Sequence, residues 1–365
     1  MAMEFGIFDH MVWPEGQDLD TLYEQKFDSV EEADRLGCFR TYHVAEHHYT
    51  RNCITPSLSP FLSAVSQRIS KIRLGPLVYV LPIRNPVHFA EEISMLDHLT
   101  HGRLDLGLGS GISELELRYF GLDYRSARER SNDVTNFLGK YFNSNGEPFS
   151  FKGNYYGFEN IEPLLMPLQK PHPPIWIPTE LLKTIPWLAE NRINTIFRYE
   201  TTHDAEHEVK AAFDLYRETM RKSPRSVTLN ARNDEPKLGM HKIVYVAGTD
   251  SKAESEIRPA LRSYGKVLNW LRAKKGVKTF YDPDRGPIGG DFSIYEDPDS
   301  VLASGIAIAG SPDTVAREIG KAMETGANYF LATLDFCLPH DKVIESMDRL
   351  ATEVIPSLKL ATIVE

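Results

Sequence analysis

Short apolar runs alternate along the chain with longer stretches in which apolar residues return every three or four positions. These are the signatures of buried strands and of one-sided helices. Residues 4–8 predict a first strand, and 19–36 an amphipathic helix after it. Further strands are predicted at 41–44, 72–81, 104–108, 174–177, 195–198, 243–246 and 328–333. Helical stretches fall between them, near 60–68, 88–99, 182–190, 205–221, 253–271 and 312–324. Within 88–99, Phe89 or Ala90, Ile93, Leu96 and Leu99 share one face. A strand–helix rhythm repeated about eight times means parallel strands joined by helical crossovers. Two architectures satisfy it, a doubly wound open sheet and an α/β (β/α)8 TIM barrel. Eight such units fit the barrel, which takes ~250 residues and tolerates insertions. Two stretches read as insertions. In 143–174 the aromatic residues Phe149, Phe151, Tyr155 and Tyr156 surround Gly153-Asn154, a hairpin signature. In 273–300 the run Asp282-Pro283-Asp284-Arg285-Gly286-Pro287 and the pair Gly289-Gly290 predict a long loop, placed to act as a mobile lid. No internal repeat divides the sequence, so 1–365 is expected to form one domain.

Composition narrows the function classes. The chain has 365 residues, 42% hydrophobic and 25% charged, a globular mixture that excludes disordered and fibrous architectures. Lys and Arg total 41 against 51 Asp and Glu, a net charge of −10. An acidic chain without a basic block has no electrostatic means of holding a polyanion, so neither nucleic acid nor an anionic membrane is expected as a partner. No apolar run approaches the roughly 20 residues that cross a bilayer. The start, Met1-Ala2-Met3-Glu4-Phe5, has no basic region of a secretory signal, so a cytoplasmic location is expected. Cys38, Cys53 and Cys337 are too scattered for a disulfide framework or a zinc ligand set.

Three groups of residues could carry chemistry. His43-Val44-Ala45-Glu46-His47-His48 follows the second strand, on the loop that opens onto the catalytic face of a barrel. Imidazoles beside a carboxylate suit proton transfer near neutral pH. The same residues suit a structural Glu–His pair closing the barrel mouth, and both readings stand. A metal site is disfavoured, because the strand at Val44 removes the helical spacing from His43 to His47 and no second ligand cluster is evident. The second group, Gly107-Leu108-Gly109-Ser110-Gly111-Ile112-Ser113, lets backbone approach a ligand and could form an anion nest. It lacks the spacing and downstream acid of a dinucleotide fingerprint, so it could equally be a tight turn. The third is Ile175-Trp176-Ile177-Pro178-Thr179-Glu180 with Lys183 and Thr184 at the next helix start, a ready anion site or plain capping chemistry. Arg128 could reach the same anion, or form part of a solvated face.

In this order and spacing the chain resembles the bacterial luciferase-like flavin monooxygenases over nearly its whole length. The resemblance rests on Glu46-His47-His48, on Gly75 through Leu81-Pro82, and on Ala90-Glu91 leading to Leu96-Asp97-His98-Leu99-Thr100-His101-Gly102-Arg103. The glycine-rich strand end, Phe120-Gly121, Arg128, Pro173-Pro174-Ile175-Trp176 and Gly310-Ser311-Pro312 complete it. It implies a (β/α)8 barrel, a dimer, and reduced FMN at the C-terminal mouth of the strands, with the segment before Gly310 as lid; a homodimer through a self-complementary surface of the 88–99 helix is the economical expectation. Position by position it implies His47 as the catalytic histidine, with Glu46 tuning it and His48 beside it. Leu77 and Val78 fall where the family often has a non-prolyl cis peptide under the flavin. Gly109 and Ser110 match the flavin-contacting strand end, Arg128 a phosphate-binding arginine, and Glu180 and Thr184 residues around the phosphate. There are departures: Ser110 stands in place of an arginine, Leu181 of a phosphate-contacting serine and Gly109 of a cysteine. Lys183 is then the residue that could replace the lost donors.

The implied reaction uses reduced FMN from a separate reductase and O2, through a C4a-peroxyflavin, to oxygenate a small, largely apolar organic substrate without light emission. Phe8 and Trp13 are placed equally for the pocket wall or the core. The rival readings are a deazaflavin-dependent dehydrogenase of the same superfamily, a non-catalytic flavin-binding subunit and a metal-dependent barrel hydrolase.

Overall fold

A computed structural model describes residues 3–111, 113–197, 201–223, 229, 235–270, 280–282, 286–288 and 292–361. Eight parallel strand positions follow one another around a closed circuit. They are β1 (Glu4–Asp9), β2 (Phe39–Val44), β3 (Arg73–Pro76) continued by β4 (Tyr79–Val80), β5 (Leu106–Gly109), β8 (Ile175–Trp176), β9 (Thr195–Ile196), β10 (Leu238–Val246) and β14 (Tyr329–Thr333). Bridges from Leu74 to Leu104 and from Trp176 to Asn194 join neighbours where the regular ladders stop. The pairing of β14 with β1, Glu4 opposite Tyr329, closes the ring. The chain is therefore a (β/α)8 barrel, and the doubly wound alternative is excluded.

The helices that return each strand include α1 (Leu19–Leu36), α2 (Leu58–Ser66), α3 (Pro86–Leu99), α5 (Ala127–Asn143), α6 (Ile185–Glu190), α7 (Glu206–Lys222) and α8 (Asp250–Leu268), with the short α4 (Glu114–Tyr119) before α5. Their starts follow local rules. Asp18 accepts from the Thr21 amide at the head of α1, and Asn85 caps α3 ahead of a proline.

The seventh barrel strand differs from expectation. Only 243–246 read as strand from sequence, whereas β10 begins at Leu238 and is buried throughout. Its polar residues are paid for by partners from elsewhere. His241 Nε2 lies 2.7 Å from Thr333 Oγ1, and Lys242 Nζ donates to the Gly305 carbonyl at 2.8 Å. Beyond the end of β9, a further parallel strand, β13 (Ala307–Gly310), lines up beside the upper half of β10, Ile243 opposite Ala307. The 72–81 run is also split. The Leu77–Val78 peptide between β3 and β4 is cis, and the chain leaves β4 in a single 3-10 turn.

The insertion near 143–174 contains the expected hairpin, β6 (Phe149–Lys152) against β7 (Gly157–Ile161). It is pinned on α5 by Phe137, whose ring lies 5.5 Å from Phe149 and 5.4 Å from Phe151. Of the 273–300 stretch, residues 273–279, 283–285 and 289–291 lie outside the described residues. Described within it are the antiparallel pair β11 (Phe280–Asp282) and β12 (Gly286–Ile288), the turn Phe292–Glu296 and the start of α9 (Pro298–Ala303). Among the described residues no helix is long and apolar enough to cross a membrane.

Inside the barrel, side chains fill layers from the strands' alternate residues. In the N-terminal half, Asp105 accepts from Arg73 Nε at 2.6 Å, Trp176 Nε1 at 3.0 Å and Thr41 Oγ1 at 3.2 Å. Tyr329 Oη stands 3.1 Å from His43 Nε2. Two glycines make room for these groups: a Cβ at Gly6 would overlap the Tyr329 hydroxyl, and one at Gly75 would lie 2.8 Å from His43 Nδ1. Above them Phe8 packs edge-on to His241 at 5.6 Å, so Phe8 belongs to the core. Only the uppermost layer, at the C-terminal ends of the strands, faces the mouth.

Candidate active site at the barrel mouth

Parallel strands present their C-terminal ends to one face, and the loops after them carry the chemistry of a barrel. The β2–α2 loop delivers Glu46, His47 and His48 there. Glu46 is buried, and its carboxylate is fully engaged. Oε1 accepts from Arg84 Nη2 at 2.5 Å and lies 3.0 Å from His48 Nε2, while Oε2 takes the Val80 amide at 3.1 Å. Arg84 in turn lies over the Tyr79 ring, 5.1 Å from its centroid. This cluster ties the β2 loop to the end of β4. His48, buried, sets its ring 4.7 Å from Phe120, edge to face.

Glu46 is therefore not the direct hydrogen-bond partner of His47. The partner of His47 is Glu116, from α4, with Oε1 at 3.1 Å from His47 Nδ1 and Oε2 accepting the His48 amide at 3.0 Å. Burial pulls the His47 imidazole down, but the Glu116 carboxylate outweighs it, by charge and by hydrogen bond, and the net shift is upward. Glu46 adds a smaller push in the same direction. With Nδ1 held by Glu116, the Nε2 edge has no hydrogen-bond partner among the described residues, and the side chain keeps 15% of its exposure.

Sequence reasoning missed Glu116, although its signature was in plain view. Ser113 caps α4 by accepting from the Glu116 amide, and Ser-x-x-Glu is the pattern of a capping box. The carboxylate turns to the two histidines of the facing loop.

A second missed residue is His10, one position past β1. Its Nδ1 lies 2.8 Å from Tyr264 Oη of α8, and its ring centroid is 6.0 Å from that of His47. Trp13 does not line the mouth in the same way. Its indole donates to the Gln17 carbonyl at 2.8 Å and lies under the Arg51 guanidinium, which fastens the β1–α1 loop.

The glycine-rich strand end has a packing role. Gly107 and Gly109 lie in β5, and their missing side chains face the neighbouring strand. A Cβ on Gly107 would collide with the Pro76 carbonyl and one on Gly109 with the Val78 side chain; at Gly111, in the left-handed region, a Cβ would lie 2.9 Å from Val80 Cγ1. The glycines permit close strand approach, and no anion nest is needed to explain them. The outcome is a shelf at the mouth, with half-buried Val78 beside the side-chain-free edge of Gly109.

The remaining expected residues follow adjacent strands, since β5 pairs with β8. Ser110 is exposed just past β5, and Arg128 is half-buried in the first turn of α5. Glu180 and Lys183 are exposed and Leu181 and Thr184 half-buried in the β8–α6 loop, whose last residues form the 3-10 turn Leu182–Thr184. Two cations and two hydroxyls on neighbouring loops suit a phosphate group, and a side-chain-free edge suits a planar ring, so the residue set fits a phosphorylated flavin-type cofactor. No group of three or more His, Cys, Asp or Glu among the described residues is placed to hold a metal ion.

The sequence matches the model of the luciferase-like monooxygenase family over residues 3–329, and the chain belongs to that family, an oxidoreductase class. A relative from Sinorhizobium fredii, the uncharacterized protein y4wF, is 32% identical over 335 residues, covering 92% of this chain and 91% of that protein. Among solved structures, the monooxygenase RslO1 from Streptomyces bottropensis superposes with a TM-score of 0.80 at 20% identity, covering 97% of this chain and 99% of that one. The oxygenating constituent of 3,6-diketocamphane monooxygenase from Pseudomonas putida, in complex with FMN, gives 0.73 at 19% identity, covering 98% and 99%. The fold also extends to the coenzyme F420 dependent tetrahydromethanopterin reductase of Methanopyrus kandleri, at 0.68 and 18% identity, covering 98% and 100%.

Proposed function

We propose that the protein is the oxygenase component of a two-component flavin monooxygenase. Reduced FMN, supplied by a separate flavin reductase, lodges at the mouth and with O2 oxygenates a small, largely apolar organic substrate. The flavin, when bound, supplies the electrons that activate dioxygen. The chain's own residues bind, orient and handle protons. Leu77, Val78 and Gly109 form the shelf under the ring system. Ser110, Arg128, Lys183 and Thr184 hold the phosphate, with Leu181 packed beside them and Glu180 on the rim. The lid stretch 273–300 excludes water. His47, its Nδ1 fixed by Glu116, carries a proton on Nε2 and delivers it to the reacting oxygen. Glu46 and His48 keep the His47 loop in place. Two copies of the chain pair through α3, where Met95 and Leu99 are exposed apolar residues, and the dimer works in the cytoplasm.

The observation that carries this reading is the His47–Glu116 pair with its upward-shifted imidazole, on the loop after β2 at the strand ends that also carry Val78 and the side-chain-free edge of Gly109. The experiment is the His47→Ala variant, supplied with reduced FMN by a coupled reductase. Oxygenated product should fall by about 10²–10⁴-fold and hydrogen peroxide should rise, with FMN fluorescence quenching retained. Oxygenation at the wild-type rate, or no binding of FMN in either redox state, overturns the reading. The fold shared with a deazaflavin-dependent reductase supports a second one, hydride transfer to or from a deazaflavin. That reading requires turnover without oxygen uptake when the reduced deazaflavin replaces reduced FMN.

A further inference from the structure

His10 has no place in the family resemblance, yet it stands at the mouth with an unusual set of neighbours. Gly6, Phe8 and His10 alternate inward from β1, and His10 is the first of them to clear the core. The turn that follows it is fixed: Met11, in the left-handed region, donates its amide to Asp9 Oδ1 at 2.6 Å. Asp9 itself is locked by Lys26 Nζ at 2.8 Å and Tyr42 Oη at 2.8 Å, and Lys26 also reaches Asp335 beyond β14 at 2.6 Å. The His10 ring packs edge-on to Phe8 at 4.9 Å and stands 6.3 Å from Tyr264. Tyr264 is held in turn by Tyr295 at 5.4 Å, in the turn that ends the lid stretch. A ring so fixed is preorganised, which is what precise recognition requires.

The two mouth imidazoles are built alike. Each has Nδ1 occupied by an anchor, Glu116 for His47 and Tyr264 for His10, and among the described residues neither Nε2 has a hydrogen-bond partner. With ring centroids 6.0 Å apart and planes tilted by 35°, the two imidazoles stand next to one another. The anchors set opposite characters. Glu116 favours a charged His47, whereas His10 is pressed well below its ordinary value by burial and then by His47, His241 and Lys26. Its one hydrogen-bonding neighbour, Tyr264, is neutral, and Asp9 is turned to Lys26 and Tyr42. A neutral imidazole whose Nδ1 accepts the Tyr264 hydroxyl proton carries its own proton on Nε2.

We propose that His10 is a second substrate-binding residue, whose Nε2–H donates to an oxygen of the organic substrate lying alongside it and His47 at the mouth. The substrate class is then a small, otherwise apolar compound bearing a carbonyl or hydroxyl oxygen, and Tyr264 is the positioning residue. This rests on the monooxygenase reading for where the substrate sits, but the histidine pair is a property of the chain alone. A pure hydrocarbon would leave the Nε2–H unpaired as the mouth closes, and a site built for a hydrogen bond rejects the analogue that lacks it.

The test uses the full-length chain and three probes of similar skeleton: cyclohexanone, cyclohexanol and methylcyclohexane. Titration without flavin, followed by the ¹⁵N-histidine spectrum, should shift the His10 Nε2 signal with the ketone and the alcohol and leave it unmoved by the hydrocarbon. With FMN loaded, the ketone should bind about ten- to a hundredfold tighter than the hydrocarbon. His10→Phe should abolish that preference, His10→Gln, which keeps a donor near the Nε2 position, should restore part of it, and Tyr264→Phe should weaken it. FMN quenching should be unchanged throughout. Equal binding of all three probes, a His10 signal indifferent to both oxygen compounds, or a preference that survives His10→Phe overturns the proposal. If His10→Phe fails to fold, Tyr264→Phe and the flavin-free titration still decide it. Loss of FMN binding in the wild-type chain would sink the monooxygenase reading and leave the flavin-free result standing or falling separately.

Discussion

His43 and His47 lie four residues apart, one inside the barrel and one at its mouth, and they have opposite characters. His43 is fully enclosed, with Nε2 facing the Tyr329 hydroxyl and Nδ1 without a hydrogen-bond partner among the described residues. Burial, aided by the Arg40 and Arg73 charges against the pull of Asp105, brings it down to about 4, so it is neutral in the fold. His47 is also pulled down by burial, yet the Glu116 carboxylate at 3.1 Å, with a smaller push from Glu46, reverses the outcome. The difference lies in where the carboxylate stands. In the interior, Asp105 spends its lone pairs on Arg73, Trp176 and Thr41, and burial, opposed and outweighed by Arg73 and then Arg40, leaves it at about 2. At the mouth, Glu116 gives one oxygen to an imidazole with a solvent-facing edge. The same residue types form an enclosed network around a neutral imidazole in one layer and an upward-shifted, partly exposed pair in the next.

The largest expected effect is on the interior. Asp105→Ala removes the acceptor of two buried donors and of a half-buried guanidinium, and should cost about 3–5 kcal/mol, read as a lower denaturant midpoint. The native carboxylate has a pH signature as well. Its folded value lies below the unfolded 3.8, so its contribution is full above about pH 4 and is lost as pH falls toward 2. A variant whose acid unfolding matches the wild type in that window would show that the network is not held together by this charge.

At the mouth, Glu116→Gln removes the leading upward cause on His47 and lets burial prevail. The His47 titration followed by NMR should move to lower pH, with a rate loss of about 10–100-fold for a lost orienting partner. The linkage sign is opposite to that of Asp105. A raised histidine stabilises below its unfolded value and loses that contribution as pH rises through the folded one, and the Glu116→Gln chain should lack this alkaline decline. An unmoved His47 titration would return the tuning role to Glu46.

Glu46→Gln is the finer control, since the amide keeps the acceptor for one of three partners. It should destabilise the chain by about 1 kcal/mol and disturb Arg84 and His48, while His47 titrates nearly as before. If His47 shifts more in Glu46→Gln than in Glu116→Gln, the assignment of partners is wrong.

Much of the fold was legible. The strand rhythm, the hairpin around Gly153-Asn154 and the starts of α1 and α3 all follow from local preference. The most specific motif of the resemblance, 96–103, proves to be architecture. Asp97 accepts from the Gln169 amide at 2.7 Å, Gly102 lies in the left-handed region after α3, and Arg103 donates to the Ile72, Ser66 and Ile69 carbonyls. The lower half of β10 was not legible, because His241 and Lys242 interrupt the apolar run. Glu116 was masked by its own helix cap, and His10 by having no charged neighbour in the sequence.

The sequence by itself determined the period of the elements, the glycines that let strands approach, and the presence of histidines and acids near the strand ends, because these depend on steric and hydrophobic preferences over a few residues. Which carboxylate meets which imidazole was decided only by the closed barrel. Glu116 and His47 are separated by 69 positions, and His10 and Tyr264 by 254. Electrostatic and hydrogen-bond energies depend on distances of a few ångströms in a water-poor site, and a chain read in one dimension carries no such distances.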